Sequence, residues 1–177
     1  MKKPQVRKVA LSGIFCALAM AISFLESLIP PLVPVPGIKP GFSNIVTMFC
    51  LDSLGFPYAF AVTLFKASFA LITRGVTAFF MSLFGGIASL MVTTLLFRLK
   101  EKYIGCMGIG VLAAVAHNCG QLAVAVAILG HTILTISPVL IISGVASGLI
   151  TGTVFYYTVP VLKKHIKLSD KGSIKKC

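Results

Sequence analysis

The sequence predicts an all-α integral membrane protein that forms a bundle of six transmembrane helices. Of its 177 residues, 57% are hydrophobic and only 11% are charged, whereas soluble domains carry about 25% charged residues. No Asp, Glu, Lys or Arg occurs in residues 9–25, 75–97 or 103–162. Because about 20 helical residues cross a hydrocarbon core of about 30 Å, these runs indicate membrane spans. The composition excludes a disordered chain, a nucleic-acid-binding module and a secreted disulfide scaffold.

Prolines and glycines mark the breaks between the predicted helices. The first helix is predicted from Val6 to Leu28. Five prolines in the Pro30–Pro40 segment then prevent a helix, since proline lacks an N–H donor and restrains the preceding residue. We expect that segment to be an extended connection outside the hydrocarbon. The other helices are predicted at 42–54, 58–73, 77–99, 107–129 and 139–162, with a turn at 55–57 and a loop at 130–138.

The second predicted helix is too short to span a bilayer upright unless it is tilted or partly re-entrant.

Basic residues predict the orientation of the bundle. If both termini are cytoplasmic, thirteen of the sixteen Lys and Arg residues lie on that side, in residues 1–8, 98–102 and 163–177. Lys39 and Arg74 then occupy outer loops, and Lys66 lies inside a helix. Cytoplasmic segments of membrane proteins carry an excess of Lys and Arg.

The charge pattern therefore predicts a single multi-pass domain, residues 1–177, in the cell membrane. Its basic ends, residues 1–8 and 163–177, are expected in the cytoplasm. The net charge of +12 is explained by this placement, so no nucleic-acid partner is implied.

Small residues form stripes on three of the predicted helices. Such stripes let helix backbones approach closely, which is how helices associate in lipid. On the first helix the stripe indicates either packing inside this chain or a docking surface for another membrane subunit. On the fourth and sixth helices, packing inside the bundle is favoured. The stripes are Ala10, Gly13, Ala17 and Ala21 on the first helix, Ser82, Gly85, Gly86 and Ser89 on the fourth, and Gly144, Gly148 and Gly152 on the sixth.

Polar side chains inside the spans indicate a candidate binding cavity. His117, Asn118 and Gln121 fall within an arc of about 100° on the fifth helix. Polar groups buried in hydrocarbon must find partners, either in a polar cavity or in hydrogen bonds between helices. A lone His is poor evidence for a metal, because no second His, Cys or carboxylate has ligand spacing around it.

Lys66 lies near the middle of the third helix, where a lysine is costly enough to suggest a function. The alternatives are an ion pair with Glu26 or Asp52, or snorkelling to the interface. Lys39 and Arg74 at the outer mouth would attract an anionic solute. We therefore expect one outward-opening solute pocket formed by Lys39, Asn44, Lys66, Arg74, His117, Asn118 and Gln121.

Three blocks of sequence carry a resemblance to a known family. Residues 39–47 (KPGFSNIVT) follow a Lys-x-Gly-x-x-Asn-Ile pattern. Residues 81–89 (MSLFGGIAS) follow Ser-x-x-Gly-Gly-x-x-Ser, and residues 116–122 (AHNCGQL) follow Ala-His-Asn-x-Gly-Gln. In this order they resemble the Gx transporter family, also labelled heptaprenyl diphosphate synthase component I. That family is similar to the substrate-binding S components of energy-coupling factor (ECF) transporters.

The two labels imply two different functions. As an S component, the chain would capture a small polar or anionic solute from outside and dock on a transmembrane coupling subunit through the first-helix stripe. Separate ECF ATPases would supply the energy. The alternative is a non-catalytic membrane subunit that associates with heptaprenyl diphosphate synthase in isoprenoid or menaquinone side-chain synthesis.

The sequence offers no catalytic apparatus for either label. A prenyl synthase holds Mg²⁺ with clusters of aspartates, but the two aspartates of this chain, Asp52 and Asp170, have no acidic neighbour. A lysine loop for ATP is also missing from the sequence. We therefore expect no enzyme activity, no catalytic residue, no metal site and no cofactor in this chain.

Overall fold

The computed structural model describes residues 3–29, 38–99 and 105–165, and it confirms the all-helical prediction. A 3₁₀ helix, His131–Ile136, leads into the last α-helix. No strand occurs in the described residues. The six α-helices are α1 (Lys3–Leu28), α2 (Asn44–Leu54), α3 (Phe56–Arg74), α4 (Val76–Arg98), α5 (Cys106–Leu129) and α6 (Ser137–His165).

The second helix reaches only about halfway across the bundle. Five helical segments of the described chain are long and apolar enough to cross a membrane, and α2 is shorter. Its 11 residues rise about 16 Å, roughly half of a hydrocarbon core. Gly55 alone joins α2 to α3, so the two helices run antiparallel. Asn44 at the start of α2 consequently lies beside Lys66 in the middle of α3.

Single glycines make the turns at both ends of α3. Gly55 has φ 94° and ψ 176°, and Gly75 has φ 89° and ψ −177°. This backbone region is essentially restricted to glycine, because a Cβ would collide with the backbone. Each turn therefore reverses the chain with one residue and keeps three successive helices in antiparallel contact.

The chain before α6 differs from the expectation of a loop at 130–138. It forms the 3₁₀ helix, and α6 then begins at Ser137. Pro138 is tolerated in the first turn of α6 because its missing N–H would have no intrahelical partner there.

A polar layer lies between two apolar clusters along α5. Ile109 and Ala113 belong to one cluster, and Ala125 belongs to the other. His117 and Gln121 lie between them and are almost fully buried. Helix α5 therefore places His117 and Gln121 between the two apolar clusters, where the candidate site is found.

Candidate functional site

Lys66 is the most deeply buried cation of the described chain. Its side chain is 2% exposed. The ammonium donates to Asn44 Oδ1 at 2.8 Å and to Ser43 Oγ at 3.4 Å. Because a desolvated charge needs such partners, Lys66 fixes the start of α2 against the middle of α3.

Glu26 of α1 also contacts the start of α2, where Lys66 of α3 binds. It is 5% exposed, and its Oε1 accepts a hydrogen bond from the Ser43 backbone N–H at 3.3 Å. A carboxylate is stabilised at the N-terminus of a helix, where backbone N–H groups lack intrahelical partners. The sequence interpretation considered Glu26 only as an ion-pair partner of Lys66. The signal that identifies it is an acidic residue at the end of an otherwise uncharged span.

The segment Ile38–Ser43 enters the bundle as irregular backbone, and we call it the re-entrant segment. The Lys39 backbone N–H donates to Gln121 Oε1 of α5 at 3.3 Å, and the Lys39 ammonium donates to the Ser23 carbonyl of α1. Ser147 of α6 donates to the Pro40 carbonyl at 2.9 Å. Non-helical backbone at membrane depth is tolerated only where protein or a cavity satisfies its polar groups.

These contacts correct part of the expectation for the Pro30–Pro40 segment. Residues 30–37 lie outside the described residues. Its last residues, 38–40, pack against the bundle instead of forming an external connection. The Lys39 backbone N–H and the Pro40 carbonyl find hydrogen-bond partners on α5 and α6, and the Lys39 side chain finds one on α1.

His117 is held between two glycines and one amide. An ideal Cβ on Gly41 (φ +86°) or on Gly85 would lie 2.9 Å from the imidazole, so only glycine leaves room for the ring. The distance from Gln121 Nε2 to His117 Nε2 is 2.9 Å. Since Gln121 Oε1 accepts from the Lys39 N–H, its Nε2 donates and the imidazole Nε2 accepts. The ring therefore supports the re-entrant segment through Gln121.

Arg74 completes a recess that we call the cationic recess. It is partly buried at the C-terminal end of α3. The recess encloses about 230 Å³ of free space that includes its opening, and its interior has room for about one water molecule. Its lining residues are Ser23, Glu26, Lys39, Ser43, Lys66, Arg74, Ser82, His117 and Gln121.

The charges around the recess change the pKa of Lys39, which lies in the re-entrant segment. Burial lowers the pKa of Lys39 to about 8, and the neighbouring cations Arg74 and Lys66 lower it as well. Glu26 acts in the opposite direction and raises the pKa. The three cations and the carboxylate therefore share one electrostatic environment.

The structure brings together most of the predicted pocket residues but not all of them. Lys39, Lys66, Arg74, His117 and Gln121 line the recess, and Asn44 reaches it through its hydrogen bond to Lys66.

Asn118 does not join the recess, which corrects the expectation for this residue. Its amide donates to the Leu140 carbonyl at 2.7 Å and to Ser143 Oγ at 3.3 Å, both on α6. One residue turns a helix by about 100°, so His117 faces the re-entrant segment while Asn118 faces α6.

A second polar recess adjoins Asn44 on its other side. Its free space between α2 and α4, about 150 Å³ with its opening included, has no room for a water molecule in its interior. Asn44 Nδ2 and Thr47 Oγ1 are buried there without a hydrogen-bond partner among the described residues. Asn44 therefore stands between two recesses, with its carbonyl oxygen turned toward Lys66. The lining residues are Asn44, Thr47, Met48, Leu51, Ser89, Leu90 and Thr93.

The small residues of α4 and α6 lie at contacts between helices. An ideal Cβ on Gly86 would lie 2.5 Å from the Thr63 side chain of α3, and one on Gly148 would lie 2.4 Å from Val111 Cα of α5. Gly144 and Gly152 approach α5 in the same way. Ser82 and Ser89 of α4 are buried and line the two recesses.

The small residues of α1, in contrast, face outward. Ala10, Gly13, Ala17 and Ala21 are all exposed, and a Cβ on Gly13 would meet no atom within 4 Å. The helix packs against α2 and α3 with its other side. We call the exposed stripe the small-residue face.

No group of three His, Cys, Asp or Glu residues in the described ranges is arranged to hold a metal ion. The site consists of buried cations, one carboxylate, amides and hydroxyls. Such groups bind and orient polar solutes by hydrogen bonding and charge.

Comparison with known proteins identifies the family. The family model described as heptaprenyl diphosphate synthase component I matches residues 15–158, which include the second half of α1, all of α2–α5 and most of α6. No curated protein and no solved structure matches the chain. Because the matched region covers more than three quarters of the sequence, the chain belongs to the heptaprenyl diphosphate synthase component I family.

Proposed function

We propose that this chain is the membrane substrate-binding (S) component of an ECF-type importer and captures a small polar or anionic solute from outside. The observation that carries the proposal is the cationic recess, in which a fully buried Lys66 is tied to a half-length helix. If Lys66 served only to hold the helices together, Lys39 and Arg74 would not need to line the same recess. The chain itself performs no catalysis in this proposal.

The half-length helix supports a transport role. In several transporter folds, solute sites lie near the bilayer midplane, where interrupted helices direct their N-terminal ends at anionic groups. The N-terminus of α2 lies in such a position, between Lys66 of α3 and Glu26 of α1.

The proposed orientation directs the recess outward. Arg74 and Arg98 lie at opposite ends of the bundle, because Gly75 alone joins the antiparallel helices α3 and α4. Thirteen of the sixteen Lys and Arg residues fall on the Arg98 side when α2 counts as a span. The positive-inside rule then assigns that side and both termini to the cytoplasm.

The partner in the proposal is a transmembrane ECF coupling subunit that works with separate ATPases. The small-residue face of α1 is the proposed contact, since Gly13 has open space around it and Ala17 is exposed. Stripes of this kind allow close helix packing in lipid. The surrounding bilayer covers the rest of the apolar surface.

The family description favours one alternative. In this alternative, the chain is a non-catalytic membrane subunit that associates with a heptaprenyl diphosphate synthase. The cationic recess would then bind a diphosphate group or serve a structural role, and the partner would be a soluble synthase.

Partner capture distinguishes the two functions. The full chain is expressed with the coupling subunit and ATPases of its own organism, and Ala17→Trp is compared with Leu18→Trp. Both residues are exposed, but Leu18 lies roughly 100° further around the helix. We expect Ala17→Trp to lose the coupling subunit on purification, while Leu18→Trp retains it and both variants melt like the wild type.

Three other results would count against the S-component proposal. Copurification of the coupling subunit with Ala17→Trp at the wild-type level removes α1 as the docking face. Capture of a soluble prenyl synthase without the coupling subunit supports the alternative. A lower melting temperature of Ala17→Trp alone assigns the face to packing within this chain.

A further inference from the structure

The cationic recess carries more positive than negative charge. Three cations, Lys39, Lys66 and Arg74, line it with one carboxylate, Glu26. With all four groups ionised, the recess has a net charge of +2. Charges removed from water are costly unless they are paired. A ligand that neutralises the recess must bring two negative charges.

The donors in the recess match an oxyanion. An ammonium has three N–H donors, and Lys66 uses two of them on Asn44 and Ser43. The Lys39 ammonium has one acceptor among the described residues, the Ser23 carbonyl. Arg74 adds a planar fork that fits carboxylate and phosphate groups in a bidentate manner. Within the part of the chain that the structure describes, donors are therefore in excess of acceptors around this space.

Glu26 sets the charge count. Its carboxylate accepts the Ser43 N–H at the start of α2, a position that suits an anion. Glu26 thus occupies one place that the oxyanion would otherwise take and lowers the net charge from +3 to +2. The interior of the recess has room for about one water molecule, far less than the usual range of about 300–1,000 Å³ for ligand pockets. Only the oxyanion end of a solute can therefore enter through its opening, and the partly buried Lys39 and Arg74 side chains must turn aside to admit it.

From these contacts we propose that the solute bears an oxyanion group of two negative charges, of phosphate or dicarboxylate type, bound by Lys39, Lys66 and Arg74 and limited to that charge by Glu26. This inference rests on the solute-binding half of the proposed function and makes no use of the docking face.

The test uses the purified full chain in detergent and measures its melting temperature in sodium sulfate, succinate, nitrate and acetate at equal ionic strength. We expect saturable stabilisation by the divalent anions, sulfate or succinate, at concentrations about tenfold below those needed for nitrate or acetate. Sulfate also stabilises proteins generally by exclusion from their surface. The variant Arg74→Gln corrects for this, with Arg98→Gln, an exposed cation at the other end of the bundle, as the matched control.

Arg74→Gln should lose the preference for divalent anions, and Arg98→Gln should keep it. Glu26→Gln should bind sulfate about tenfold more tightly, because it raises the net charge of the recess. Equal effects of nitrate and sulfate on the wild type, no saturable effect of either, or equal losses in Arg74→Gln and Arg98→Gln overturn the inference. If Arg74→Gln does not fold, saturation in the wild type still decides, because general stabilisation by excluded sulfate rises with concentration without saturating.

The inference and the proposed function fail separately. Saturable sulfate or succinate binding without capture of a coupling subunit leaves the inference standing and refutes the S-component role. Capture of the coupling subunit without any preference for divalent anions refutes the inference and leaves the S-component role standing.

Discussion

The contact between α5 and α6 gives a sharp prediction, because both helices approach through glycine at one point. An ideal Cβ on Gly148 would lie 2.4 Å from Val111 Cα, 2.8 Å from the Gly110 carbonyl oxygen and 2.9 Å from Val111 N. All three are backbone atoms, which cannot rotate away as a side chain can. Ordinary contacts of a Cβ begin near 3.4 Å, so Gly148→Ala must move α6 by about 1 Å.

The free-energy cost of this movement is of the size found when a substitution overfills a packed protein interior. Forcing an extra methyl group into a packed interior costs about 1–3 kcal/mol. Alanine also favours a helix over glycine, by about 1 kcal/mol, and this gain must be subtracted. Gly13→Ala supplies the correction, since the new methyl group on α1 meets no atom within 4 Å.

The two variants should therefore differ by about 1–3 kcal/mol in free energy of unfolding, or roughly 2–12 °C in melting temperature for a chain of this length. Thermal unfolding of the purified full-length variants in one detergent measures the difference. Gly148→Ala should also weaken anion binding, because the adjacent Ser147 holds the Pro40 carbonyl. Equal melting temperatures for Gly148→Ala and Gly13→Ala would refute the close packing of α5 and α6.

Three further predictions concern charge, packing and topology. Because burial lowers the pKa of Lys39 to about 8, its ammonium is present below that pH, and sulfate binding, measured by the melting shift, should weaken as the pH rises from 7 to 9. Lys39→Met should flatten this profile, and an unchanged profile in that variant would assign the titration to another group of the recess. Asn118→Ala should lower the melting temperature, since it removes the bond to the Leu140 carbonyl, but should leave the sulfate half-saturation within about twofold; a larger loss of sulfate affinity would return Asn118 to the binding site. In a cysteine-free background, an impermeant thiol reagent should label a cysteine at position 35 and miss one at 171, both outside the described residues; the opposite pattern would reverse the proposed orientation.

The sequence by itself determined the class of the protein and the position of its helices. Long uncharged apolar runs are stable in lipid as helices, because every backbone N–H and C=O in the middle of a helix is paired within its own segment. Prolines and glycines end those segments by purely local effects on the backbone. Helix formation and helix termination both depend on residues that are close together in the sequence. The predicted and observed helices therefore agree to within a few residues. The buried Lys66 was identified for the same reason, since its depth follows from its place in the helix.

The tertiary structure decided which polar groups meet. Lys39 and Gln121 are 82 positions apart, yet they share a hydrogen bond. Glu26 enters the site because α1 turns that side chain toward the start of α2, and Asn118 leaves it because α5 turns Asn118 toward α6. These rotations depend on how neighbouring helices pack against one another, which is a property of pairs of helices. A single helical pattern therefore gives the depth of a polar residue, while the packing of neighbouring helices selects its partner.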